Sequence, residues 1–529
     1  MKNKILEVLI FTLLISATFL HVAGLELQKT KNSALRPDIE WEKTYGSSMV
    51  DWGRCVQQTS DGGYIITGAY DRNVYSPWWG YIYLLKTDSD GNFEWDQKYG
   101  IYQYDNLGNY VQETSDGGYI VAGHTGFTYH IDAYILKTDP LGNYSWIRVL
   151  GEFDYADDSL SVQETSDGGY IISGWTGSYS AGSSDAWLIK LNSDGEDEWN
   201  KTFGGSMLDT GDSVKETLDG GFVICGRTDS FDSFGNGDAW LIKTDMYGNE
   251  LWNKSYGGNY LDYGKSVLQT SDGGYVFCGS TYSFGAGNHD AWLVRTDMFG
   301  YELWNKTFGG SLWDQANSVV ETSDGGYFLT GDYTDPVQGD SEMYLVKTDS
   351  DGNEEWSYII EHESRGVTDS GSYGIQTNDG GFIATGETGE YNLALVDILL
   401  VKLEGSNQAP SAPEINGPVN GKTGVSYEYG FVSIDPDGDD IAEYIVDWDD
   451  GSRIEIIFGP FASGEEIALN HTWAKQGSYT ITAKAKDING LVGLKGTFDV
   501  SIPRGRMFQN ILLFRLLGRF IDALFLYFQ

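Results

Sequence analysis

Basic residues are scarce. Lys and Arg total 34 against 77 Asp and Glu, a formal net charge of −43 at pH 7 in 529 residues. A chain this acidic repels phosphate backbones, which excludes nucleic acid as a partner. Cysteine is nearly absent: Cys55, Cys225 and Cys278 are too few for a disulfide framework. Cys225 and Cys278 occupy the same slot of neighbouring segments, FVICG and YVFCG, which leaves open a bridge or two small buried apolar side chains. Between residues 38 and 405 the histidines are His124, His130, His289 and His362, and they form no H-x-H or H-E-x-x-H pair. A G-x-S-x-G elbow and a phosphate-cradling glycine loop are also missing, so the chain carries no local catalytic signature. Proline is limited to 10 residues, whereas glycine reaches 69 and aromatics 14%. With 40% hydrophobic residues, this composition describes a packed protein of many short strands and tight turns.

What is present is repetition. The tripeptide DGG recurs at Asp61, Asp116, Asp167, Asp219, Asp272, Asp324 and Asp379, at steps of 51 to 55 residues. Each unit runs through four strand-like segments, of the types NSVVETSD, GGYFLTGDYT, DAWLIKTD and NELWNKTFGG. Four strands per unit of this length predict a blade of a β-propeller. The tryptophan of the fourth segment recurs at Trp41, Trp95, Trp146, Trp199, Trp252, Trp304 and Trp356. Trp41 precedes the first DGG, and the last unit ends after its third segment, DILLVKLEG. The segment IEWEKTYG therefore supplies the missing outer strand, and residues 38–405 are predicted to form a seven-bladed β-propeller closed by the N-terminal strand, with no open edge. The D-x-x-G-N segments read as hairpin turns between third and fourth strands, since Asp139-Pro-Leu-Gly-Asn and Asp245-Met-Tyr-Gly-Asn lack the second acid a calcium loop needs.

The D-x-x-G-x-x-x-W turn resembles the tryptophan-docking motif of quinoprotein-type propellers, in which the tryptophan packs against a neighbouring blade. Over the full repeat the chain resembles secreted bacterial and archaeal propellers with QTSDGGYI units, a likeness that implies a fold and no particular activity. The linker 406–413 is rich in proline and small residues. Residues 408–502, carrying SIDPDGDDIAEYIVDWDDGS and NHTWAKQGSYTITAKAKDINGLVG, resemble a PKD domain, an Ig-like β-sandwich. That resemblance implies a spacer or adhesive module of exported proteins, with Trp448 and Trp473 in its core. Within it, Asp435, Asp437 and Asp439 are candidate calcium ligands, or else part of a solvated acidic turn. No other cofactor is expected.

The two ends differ from the body. Residues 1–24 follow a secretory signal pattern, Lys2 and Lys4 ahead of an apolar run from Val8 to Leu20. Residues 504–529 hold four arginines against one aspartate among leucines and phenylalanines. This predicts a short amphipathic helix that contacts a membrane interface, or docks on a partner. Whether residues 1–24 are a cleaved signal or a retained membrane anchor, the bulk of the chain is expected to be exported, extracellular or at the cell surface.

In such a ring the long connections, second to third strand and unit to unit, share one face, and their variability marks it as the working face. Trp52, Trp78, Trp79, Tyr129 and Trp313 are its candidate ligand-binding residues, suited to sugar rings or a protein surface. Two sets of aspartates lie on that face. Asp51, Asp105, Asp157, Asp209, Asp262, Asp314 and Asp369 open the innermost strands; Asp132, Asp185, Asp238, Asp290 and Asp397 precede the third strands. They attract a cation at the channel mouth or bond backbone N–H groups in turns. Gln58, Glu113, Glu164, Glu216, Gln269, Glu321 and Gln376 are candidates to line the channel. The expectation is an exported, non-enzymatic binding or adhesion protein that captures glycan or protein. The rival is a secreted polysaccharide lyase or glycoside hydrolase with its site at the channel mouth, and a third reading is a structural envelope component.

Overall fold

The chain divides into two compact units, Met1–Ser406 and Asn407–Gln529. The computed structural model describes residues 36–73, 79–127, 130–152, 154–231, 236–337, 339–361, 367–390, 395–405, 409–436, 438–488 and 492–503. The expected signal segment 1–24 and tail 504–529 lie outside the described residues, as do Trp78, Tyr129 and Asp437. Among the described residues the secondary structure is all β, and no helix is long and apolar enough to cross a membrane.

The first unit is built from seven four-stranded antiparallel modules, consistent with propeller-like blades. Modules 2 to 6 are separate sheets whose first strands are Asp105–Glu113, Asp157–Glu164, Asp209–Glu216, Asp262–Gln269 and Gln315–Glu321. Module 1 begins with Val50–Gln58 and module 7 with Thr368–Gln376; a single parallel bridge, Val50 to Val396, joins them into one eight-stranded sheet. The fourth strand of module 7 comes from the other end of the unit. Ile39–Tyr45 pairs antiparallel with Leu395–Leu403, Ile39 opposite Leu403 and Tyr45 opposite Ile398.

Each module packs on the next through a buried apolar layer. Val223, Cys225 and Leu241 of module 4 meet Val267, Phe277 and Val294 of module 5, for example. Module 7 meets module 1 in the same way, through Ile383, Ile398 and Leu400 against Val56, Ile66 and Leu85. Strands buried on both faces explain the near-continuous apolar runs of the second and third segments, such as YIITG and AWLI. All three cysteines are unpaired and buried in these layers, so the bridge left open between Cys225 and Cys278 is not formed. Burial pushes the Cys55 thiol up to about 12.

Tryptophan marks every boundary. Trp41 lies against Tyr64, Trp95 against Tyr119, Trp146 against Tyr170, Trp199 against Phe222, Trp252 against Tyr275, Trp304 against Tyr327 and Trp356 against Phe382, with ring centroids 5.4–6.1 Å apart. In each case the second ring belongs to the following module, and Trp41, from the strand completing module 7, reaches module 1. The D-x-x-G turn explains the glycine. Gly195 has φ +77°, and a Cβ there would stand 2.7 Å from the Trp146 ring. Only glycine satisfies both the left-handed backbone and the close approach.

Two further devices repeat. The DGG aspartate caps its own turn and pairs with a buried Lys or Arg of the third strand: Asp61 with Lys86, Asp116 with Lys137, Asp167 with Lys190, Asp219 with Lys243, Asp272 with Arg295, Asp324 with Lys347 and Asp379 with Lys402, at 2.5–3.0 Å. Partial burial raises these carboxyls, but the threonine hydroxyl, the turn N–H and the lysine outweigh it and hold Asp116 at about 2. At six of the seven turns the residue before the DGG aspartate donates its N–H to the Glu or Gln ending the next module's first strand. Ser60 bonds Glu113, Ser115 Glu164, Ser166 Glu216, Leu218 Gln269, Ser323 Gln376 and Asn378 Gln58, at 2.7–2.8 Å. Those Glu and Gln side chains therefore staple modules together, which corrects the expectation that they line the channel.

The second unit is a two-sheet β structure. Glu414–Asn416, Tyr427–Val432 and Ile467–His471 form one sheet; Ile441–Asp447, Glu455–Phe461, Gly477–Asp487 and Gly496–Ile502 form the other. Its core holds Trp448 and Trp473, as expected from the sequence, with Tyr429, Phe431 and Tyr444.

Candidate functional site

A β-bulge interrupts every first strand at the same place. The register shifts fall between Gly53 and Cys55, Gly108 and Tyr110, Ser159 and Ser161, Gly211 and Ser213, Gly264 and Ser266, Ala316 and Ser318, and Gly371 and Tyr373. A bulge re-aims the skipped residue out of the ladder. Here the skipped residues are Arg54, Asn109, Leu160, Asp212, Lys265, Asn317 and Ser372, and all seven line one cavity of about 110 Å³. The cavity is thus shared by all seven modules. Its remaining wall includes Tyr110, Tyr373 and Lys215. The two tyrosine hydroxyls lie 3.1 Å apart, and Lys215 Nζ donates to the Tyr110 hydroxyl at 3.2 Å. Burial pushes both phenols far above the ordinary tyrosine range, so they stay neutral. Sequence reasoning missed this site. The signal was the position four residues before each stapling Glu or Gln, which carries six residue types across seven repeats.

The unit-to-unit connections and the second-to-third connections meet on one side, as expected. Asp209 N–H bonds Ser184 O, Asp262 N–H bonds Gly237 O and Asp314 N–H bonds His289 O. The candidate binding residues on this rim are placed differently from one another. Trp313 is exposed, at 57%. It packs against His289 at 5.0 Å and Tyr282 at 5.8 Å. Trp79 begins a third strand, half-buried, its edge against Tyr102. Trp52 sits within the first strand of module 1, half-buried, with the guanidinium carbons of Arg72 and Arg54 at 4.3 and 4.8 Å from its ring. Beyond these, Tyr102, Tyr155, Tyr179, Phe231, Tyr260 and Phe284 are exposed on the same connections.

Two histidines near this rim carry opposite electrostatics. His124 is buried, which alone would lower its pKa. Asp158 at 3.0 Å from Nδ1 and Asp105 at 3.9 Å from Nε2 outweigh that and hold it up at about 9. His289 is buried between Tyr282 and Trp313, and neither ring nitrogen has a hydrogen-bond partner among the described residues. Burial pushes it down to about 4, so it is neutral.

The aspartates of the rim are structural caps that converge in pairs from adjacent modules. Asp209 accepts the Gly205 N–H at 2.9 Å and the Ser230 hydroxyl at 2.6 Å. A Cβ on Gly204 would meet both Asp185 and Asp209, and one on Gly46 both Asp397 and Asp51. Burial, and then the neighbouring carboxylate, raises Asp185, Asp132 and Asp314 above the ordinary range. In module 2 the position is filled by Asn106, whose amide bonds the carbonyls of Gly80, Ile101 and Tyr104, while Asp105 turns to Arg72 at 2.8 Å. The seven-aspartate ring expected from the sequence is therefore six aspartates and one asparagine. Glu342 takes the third-strand position in module 6, and burial together with Asp369 raises it.

In the second unit Asp435 is buried and accepts the Asp439 N–H at 3.2 Å, so it caps the acidic turn instead of facing solvent. No group of three or more His, Cys, Asp or Glu side chains among the described residues is placed to hold a metal ion.

No protein-family model and no curated protein matches the chain. Among solved structures, the chain is similar to the PKD domain of an M14-like peptidase from Thermoplasmatales archaeon SCGC AB-540-F20, at 45% identity over all of that domain and 19% of this chain, with a TM-score of 0.18. It is also similar to the glycoside hydrolase domain of Endo-D from Streptococcus pneumoniae R6, at 12% identity and a TM-score of 0.15, over 43% of this chain and 33% of that one.

Proposed function

We propose that residues 38–405 form a seven-bladed β-propeller closed by its N-terminal strand, that residues 408–502 form a PKD-type sandwich, and that the protein is an exported, non-enzymatic binding protein. The pairing of Ile39–Tyr45 with Leu395–Leu403 and the bridge from module 7 to module 1 support ring closure. So does the recurrence of the tryptophan contact at all seven boundaries, Trp41 on Tyr64 included. Two sheets packed over Trp448 and Trp473 support the sandwich, which serves as a spacer.

The observation that carries the binding reading is the rim: exposed aromatics recur on its connections while its carboxylates are spent on capping. Flat rings of this kind take up sugar faces or an apolar protein surface. Glycan or protein is accordingly the ligand class, and Trp313 and Trp79 the anchors. The test is a glycan and surface-protein screen of the full chain, with and without calcium. Trp79→Ala and Trp313→Ala should each weaken capture by roughly tenfold or more, the scale of an aromatic hot spot, at an unchanged melting temperature. Full capture by the double variant would remove the rim as the site. One observation favours the hydrolase or lyase reading: Glu342 beside Asp369 is a carboxyl kept protonated toward neutral pH. Both side chains are buried. Loss of a polysaccharide-cleaving activity on Glu342→Gln would establish that second reading.

A further inference from the structure

The charge of the central cavity is opposite to that of the protein. Three cations line it, Arg54, Lys215 and Lys265, against one carboxylate, Asp212, which lies 3.7 Å from Lys265. Arg54 and Lys215 make no ion pair among the described residues. Arg54 contacts the Trp52 ring and its buried Nε has no hydrogen-bond partner among the described residues; Lys215 donates to the Tyr110 phenol. This departs from the pattern of the module, where the seven third-strand cations are each matched to an aspartate. Nearby carboxylates on the first and second strands are already committed. Asp105 and Asp158 serve Arg72 and His124, and Asp332 accepts from Gln315, Asn317 and Ser370.

We propose that this cavity is an oxyanion site, in which Arg54 and Lys215 bind a carboxylate or sulfate group. Unmatched cations held in a confined, partly desolvated space are costly unless an anion completes them. A guanidinium and an ammonium together offer the charge-assisted donors that carboxylate and sulfate accept best. At about 110 Å³ the cavity has room for the anionic group and the carbon bearing it. The same chemistry could be presented by an acidic sugar or by a free inorganic anion. The bulges supply the mechanism: they expose seven positions whose side chains can change without disturbing the ladder, and charge has been placed there. The site uses none of the proposed rim anchors and stands whether or not the rim binds glycan.

Calorimetric titration of the full chain at constant ionic strength tests this, with sodium glucuronate, sodium sulfate and uncharged glucose as probes. Saturable one-to-one binding of glucuronate or sulfate is expected, and none of glucose. Tighter glucuronate identifies an acidic sugar as the source, and equal or tighter sulfate a free inorganic anion. Arg54→Gln and Lys215→Gln should each weaken the anion by roughly tenfold or more, whereas Arg54→Lys and Lys215→Arg should largely keep it. Lys484→Gln, on the exposed surface of the second unit, should change nothing. Absence of saturable binding by both anions to the unaltered protein would overturn the proposal, as would equal losses in Lys484→Gln and Lys215→Gln. Because the unaltered protein is itself decisive, a variant that fails to fold leaves the conclusion intact.

Discussion

Raising the pH from 6.5 to 9 should destabilise the first unit through one side chain. His124 is protonated up to about 9 when folded, against 6.5 for a free imidazole, because Asp158 and Asp105 outweigh its burial. Between those values the folded chain holds a proton that the unfolded chain has lost, so stability falls as the pH rises. The contribution is complete below 6.5 and gone above 9. A shift of this size corresponds to about 3 kcal/mol. With an unfolding entropy of roughly 2.1 cal/mol/K for each of some 370 residues, that is a drop of about 4 °C in melting temperature. Glu342, also raised in the folded state, loses stability in the same direction, so the wild-type profile alone is ambiguous. The informative measurement is the difference between wild type and His124→Gln, followed by calorimetry across pH 6–10. The variant should be the less stable protein at pH 6.5, by about 3 kcal/mol, and the two should converge by pH 9.5. Parallel profiles, separated by a constant amount, would refute the assignment of a charged, doubly paired imidazole.

Two other changes follow from the same reasoning. His289 is neutral down to about pH 4 in the folded protein, so stability should decline as the pH falls from 6.5 toward 4, again by about 3 kcal/mol; His289→Phe keeps the ring cluster and should flatten this limb in a pH-resolved melting series, and an unchanged slope would contradict it. Lys402→Met leaves Asp379 and Glu40 without the ammonium that both accept from, at 2.7 and 3.0 Å. Because both carboxylates keep access to solvent, it should cost no more than about 1 kcal/mol in chemical denaturation, and a cost of about 3 kcal/mol or more would show that the two carboxylates are left unsatisfied.

Much of the architecture was legible because it is periodic. Four strands per unit and the pairing of Ile39–Tyr45 beside Leu399–Leu403 follow from spacing and phase, and the packing of each tryptophan on the following module from the resemblance of the D-x-x-G-x-x-x-W turn. The illegible parts are those where periodicity misleads. Asp105 looks like the cap of module 2, but Asn106 holds that role: the other caps stand seven residues before the Glu or Gln ending their strand, and Asp105 stands eight before Glu113. The recurring Glu and Gln were read as channel lining because they sit on the innermost strand; the bulge behind them gives that place to Arg54, Asp212 and Lys265 instead. Trp52 was read as a loop residue, yet its strand begins at Val50 and two arginines cover the ring. The recurring Glu and Gln proved to be scaffold. The cavity was overlooked because its residues have no consensus to recognise.

The pairing of Ile39 with Leu403 has a consequence for biosynthesis. The first strand to leave the ribosome has no place to go until about 360 further residues have been made, roughly 20–70 s at ~5–20 residues per second. Throughout that interval a tryptophan-bearing strand stays unpaired, and the face of module 1 that meets module 7 stays uncovered. Termination before residue 395 would therefore leave Ile39–Tyr45 without the strand it pairs with, whereas termination after residue 405 would truncate only the second unit.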